Sequence, residues 1–172
     1  MRSWTPQADG LRCTMLADEA DLLASIGRQV LGLHRAVVDR RAAEDDPAMA
    51  RLYPPAYADP EDAAEFRRLA SVDIAGIRIR SMIRMIADLE SALPTEVDGD
   101  EVELLVDDEG ADAWLRALAD VRLVLHVRTA QPVDDLHPDV TEEDLEQFRD
   151  VAEWVGFVQG TMLEALDARI DG

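Results

Sequence analysis

The sequence predicts a mainly α protein: a bundle of four to five helices with a small antiparallel β element, an N-terminal hairpin plus a strand near 101–106. Three observations carry this prediction. Long stretches place apolar residues at the 3.6-residue period of an amphipathic helix. Two short stretches alternate at the period of a half-buried strand. The 172 residues suit a single domain, 1–172, with one core.

The elements follow in order. Asp9-Gly10 is a turn signal. Leu11, Cys13 and Met15 then alternate with Arg12 and Thr14, and residues 2–7 supply the partner strand, confined to an edge by Pro6. A helix opens at Asp18 or a neighbour and runs to about Arg41, with Leu22, Leu23, Ile26, Val30, Leu33 and Val37 inward. Asp46-Pro47 pairs an N-cap with proline at the first helical position, and Pro54-Pro55 ends that short helix. Asp59-Pro60 repeats the signal and starts a long helix towards Pro94. Its Val72, Ile79, Met82, Ile83, Met85, Ile86, Leu89 and Leu93 share a wide apolar arc, as expected of the central helix of a bundle. Asp73, Arg80, Arg84 and Asp88 fall on the other side.

Val102, Leu104 and Val106 alternate with Glu101, Glu103 and Leu105 in a strand that can join the hairpin. Asp107 or Asp108 opens a further helix with Trp114, Leu115, Leu118, Val121, Val124 and Leu125 inward. After a loop, Thr141 and Asp144 have capping-box spacing before the last helix. Its expected core face is Leu145, Phe148, Val151, Val155, Met162, Leu163 and Leu166.

Charge narrows the function classes. Thirty-seven acids face seventeen basic residues, all arginine, for a formal net charge of −20. The absence of Lys and Asn matches the codon bias of a GC-rich bacterium such as an actinobacterium. Such a chain repels polyphosphates, so direct DNA binding is disfavoured and a basic protein surface is the better partner. No signal segment or bilayer-spanning apolar run is visible, and the expected location is cytoplasmic.

No nucleotide loop or nucleophile elbow is present, and His34, His126 and His137 are too dispersed for a zinc motif. The sequence therefore points to no catalytic residue, no metal and no cofactor. The sharpest cluster is Arg67, Arg68, Arg78, Arg80 and Arg84, with only Asp73 for company between Phe66 and Ala87. Arg67, Arg68, Arg80 and Arg84 form a candidate partner or nucleic-acid patch, against the plainer reading of pairing with the chain's own carboxylates. Arg122, set among apolar residues, is expected to be buried on a carboxylate partner. Gly156 and Gly160 have the spacing of a close helix contact, in the core or in a homodimer. Cys13, the only cysteine, is a core residue unless its thiol is exposed beside Arg12.

Two blocks carry a family resemblance. One is Asp46-Pro47-Ala48-Met49-Ala50-Arg51-Leu52-Tyr53-Pro54-Pro55-Ala56-Tyr57, followed by Ala64-Glu65-Phe66-Arg67-Arg68-Leu69; the other runs from Ala113-Trp114 through Asp120-Val121-Arg122-Leu123. Together they resemble the actinomycete oxidative-stress regulators (AosR), a family formerly known as a domain of unknown function. The resemblance implies a non-enzymatic transcriptional regulator that works through protein contacts with a sigma factor or other transcription component. It makes Arg51, Tyr57, Phe66, Trp114, Asp120 and Arg122 family-motif residues with a structural role. With one cysteine, the redox role it implies falls to Cys13, through an intermolecular disulfide or oxidation of the thiol itself. The alternatives are an adaptor or scaffold domain acting as a homodimer, and an enzyme whose site is assembled from scattered residues.

Overall fold

The computed structural model describes residues 1–39, 46–54, 59–93, 101–131 and 141–170, and for residues 60–71 the backbone alone. The order is β1 (Thr5–Gln7), β2 (Gly10–Leu16), α1 (Ala17–Val38), α2 (Pro47–Leu52), α3 (Pro60–Ala92), β3 (Glu101–Val106), α4 (Asp108–Thr129) and α5 (Glu142–Ile170). This is the mainly α fold with a small antiparallel sheet that the periodicities predict.

The sheet has the order β1-β2-β3, with Thr5 opposite Arg12 and Cys13 opposite Leu104. Gly10 turns the hairpin at a φ of 155°, and a Cβ there would lie 2.2 Å from the Val106 carbonyl oxygen. Only glycine fits. Alternation puts Leu11, Cys13, Met15, Val102, Leu104 and Val106 into the core and leaves Arg12, Glu101, Glu103 and Leu105 outside.

The helices start where the capping residues put them. Asp46 accepts the Ala48 amide at 2.8 Å, Asp107 accepts the Gly110 amide at 2.7 Å, and Thr141 and Asp144 exchange reciprocal bonds. The long helix α3 packs between α1 and α4 and buries Met82, Met85, Ile86 and Leu89. Trp114 on α4 is fully buried and meets Trp4 edge-to-face at 5.4 Å.

Several apolar residues expected inside lie outside. Val72, Ile83, Leu22, Phe148 and Leu163 are all exposed. The reason is geometric: each helix carries an apolar arc wider than the strip its neighbours cover. α5, for example, packs mainly on α4 and the sheet and buries Leu145, Val155, Val158, Thr161, Met162 and Ala165. α1 ends at Val38, three residues short of the expected end near Arg41, which lies outside the described residues.

Candidate functional site

The two signature blocks meet on one buried polar network. Asp120 on α4 and His34 on α1 are two of the four buried polar residues among the described residues. His34 Nδ1 lies 2.8 Å from the Tyr53 hydroxyl, at the C-cap of α2. His34 Nε2 lies 3.2 Å from Asp120 Oδ2, off the line of a hydrogen bond, so both atoms lack a well-aligned partner. Arg78 on α3 donates to the other oxygen of Asp120 and, at 3.3 Å, to the Leu52 carbonyl. Its guanidinium carbon stands 5.5 Å from the centre of the Tyr53 ring, within cation–π range. Where Nδ1 accepts the hydrogen bond of the Tyr53 hydroxyl, the ring N–H lies on Nε2, the atom beside Asp120. Burial pushes the Tyr53 hydroxyl up to about 12, so it stays protonated and donating. Four helices are tied together by four side chains.

A second knot joins α3 to the start of α4. Arg84 Nε reaches both oxygens of Asp88 at 3.0 Å, and its other arm reaches Asp107 at 3.0 Å. Asp88 also accepts the Trp114 indole N–H at 2.8 Å. The Gly110 amide and Arg84 hold the Asp107 carboxyl below its ordinary range. Gly110 leaves room for this, since a Cβ there would lie 2.7 Å from Arg84 and 2.8 Å from Val106. A third tie runs from Arg128 on α4 to Asp46 at 2.7 Å, which fixes the N-terminus of α2. Burial alone would raise the Asp46 carboxyl, but Arg128 and the amides of Ala48 and Met49 outweigh it and hold it low.

The structure places the sequence-predicted residues as follows. Arg84 is ion-paired, as the plainer reading of the arginine cluster expects. Arg80 is exposed and, among the described residues, has no ion-pair partner. The side chains of Phe66, Arg67 and Arg68, and the whole of Tyr57 and His137, lie outside the described residues. Arg51 is exposed on α2. Arg122 corrects the expectation of burial: it is exposed, donates to Gln159 at 2.7 Å and lies against Gly156, whose missing side chain makes the room. A Cβ at Gly160 would meet no atom within 4 Å. Cys13 is 2% exposed, and burial pushes its thiol up to about 12, a setting that disfavours the reactive thiolate.

In the sequence His34 stands only as a dispersed histidine and Tyr53 only as part of a motif. The available signal was Asp120 on an otherwise apolar α4 face, because a buried carboxylate requires a cationic or donating partner.

One surface feature contrasts with these buried polar groups. A groove of about 490 Å³ opens between α1, α4 and α5, lined by Leu22, Ile26, Leu33, Val124, Phe148 and Val151. Leu22 and Phe148 are 42% and 41% exposed. Ser25, Gln29, Gln147 and Arg128 supply its polar groups. A shallower depression between α4 and α5 holds Arg122, His126, Glu153 and Gln159.

Among the described residues no group of His, Cys, Asp or Glu is arranged to hold a metal ion, and no helix is long and apolar enough to cross a membrane. No curated protein and no solved structure matches the chain. A family model does, over residues 1–166, and by that match the chain belongs to the domain of unknown function DUF2017.

Proposed function

We propose that the domain is a non-enzymatic regulatory module that acts on a protein partner. One observation carries the reading: its large apolar side chains line an open groove, on a molecule of net charge −20. The buried network ties α1, α2, α3 and α4 to one another, and Arg84 is already paired with Asp88 and Asp107. DNA is disfavoured because every phosphate contact must be made against the summed negative field. The resemblance to oxidative-stress regulators makes the partner a transcription component, such as a sigma factor. Under that reading a redox response through Cys13 requires an opening that exposes the thiol.

The test is affinity capture from the native cell at ~150 mM salt, with and without peroxide, beside a gel shift on DNA at the same salt. A protein retained in stoichiometric amount, with no DNA retardation, is the expected result. DNA retained at that salt, with no protein partner, would overturn the reading.

A further inference from the structure

We propose that the groove between α1, α4 and α5 is the docking site for an amphipathic helix of the partner, one with an apolar stripe and a basic outer face. This rests on the regulatory reading and names the surface it uses.

The dimensions favour a helix. On α1, Leu22, Ile26 and Leu33 recur at helical spacing along one flank of the groove, about 16 Å from first to last. Phe148 and Val151 form the facing flank on α5, and Val124 on α4 lies in its floor. Three turns of a partner helix cover that length and present residues i, i+3 or i+4 and i+7 to it. About 490 Å³ accommodates a few large apolar side chains rather than a flat sheet edge.

Charge selects the outer face of that helix. Arg128, the one cation lining the groove among the described residues, is already satisfied by Asp46 at 2.7 Å. One turn before Leu22 stands Asp18, exposed and, among the described residues, without an ion-pair partner. One turn before Phe148 stands Asp144, whose bonds to the Thr141 hydroxyl and amide keep its carboxyl ionised. Each flanking helix thus carries an acid one turn before the groove, and the whole molecule adds a net charge of −20 behind it. Basic side chains on the partner gain from this field, and acidic ones lose. A second copy of this chain brings another −20 and is repelled.

The experiment measures fluorescence anisotropy of a labelled helical peptide of about five turns. Its apolar stripe is leucine and its remaining face arginine, and a twin peptide carries glutamate on that face. The intact chain should bind the arginine peptide and not the glutamate twin. Phe148→Asp and Leu22→Asp should each weaken binding at least ~10-fold, as expected of groove anchors. Both side chains are already exposed, so these variants keep the core, and Phe148→Ala supplies a milder version. Leu163→Asp, on the same helix but outside the groove, should change affinity by less than ~2-fold.

Equal binding of the two peptides, indifference to Phe148→Asp, or no binding up to ~1 mM would each overturn the proposal. So would self-association of the chain that Phe148→Asp abolishes, since a second copy would then be the occupant. The wider reading is judged separately. If native-cell capture retrieves a partner that Phe148→Asp still retains, the groove assignment falls and the regulatory reading stands; if nothing is retrieved, the regulatory reading falls.

Discussion

Asp120 lies between a buried imidazole and a guanidinium, and removing it takes the carboxylate from beside both. Breaking a buried pair from one side is costly because the remaining group keeps its desolvation penalty. Asp120→Ala should therefore lower unfolding free energy by about 3 kcal/mol in urea titration. A loss below ~0.5 kcal/mol would show that the network contributes little to stability. Cys13 gives a second prediction. With its pKa pushed up to about 12, the native thiol should label with a disulfide reagent at pH 8 far more slowly than the same thiol in urea. Labelling at equal rates would mean the strand opens readily. The same burial sets a pH dependence. Cys13 and Tyr53 have folded values raised to about 12 from 9.0 and 10.0, so the folded state holds those protons longer than the unfolded one. The stability they contribute is fully present below pH 9 and should be lost as pH rises towards 12, as thermal melts across that range would register. At this scale the sequence was least legible. His34, Tyr53, Arg78 and Asp120 are spread over 87 positions and four elements, and no local spacing shows that they converge.

At the scale of elements, most of the signals were local and readable. The Asp9-Gly10 turn, the alternation of 101–106 and the caps at Asp46, Asp107 and Thr141 each rest on a few neighbouring residues, so each appears where expected. The apolar faces that periodicity predicts are wider than the buried ones, because periodicity reports which residues share a side and not how much of it a neighbour covers. Those misassignments are informative: Leu22 and Phe148, expected in the core, are two of the residues that line the groove. The short helix α2 is held by its cap, by Arg128 at one end and by Tyr53 at the other. Asp46→Ala removes the cap and the ion pair together and should cost about 1–2 kcal/mol, with faster hydrogen exchange in α2 than elsewhere. Uniform exchange across the helices would contradict a local role. The sign with pH is opposite to that of Cys13. Asp46 is held below 3.8, so its contribution is present above that value and is lost as pH falls through its lower folded value.

For the whole molecule, the charge of −20 and the apolar groove are complementary features, one attracting a basic partner and the other retaining it. Association driven this way has a salt signature: steering weakens as the Debye length shortens, while the apolar contact persists. The charge was legible from composition alone. The groove was not, because it forms where α1 and α5 flank α4, which depends on packing between distant segments. The most direct measurement is quantitative capture from the native cell with the intact chain and the Phe148→Asp variant side by side. A protein partner enriched on the intact chain and lost from the variant is the result predicted here; a partner held equally by both, or by neither, would contradict it.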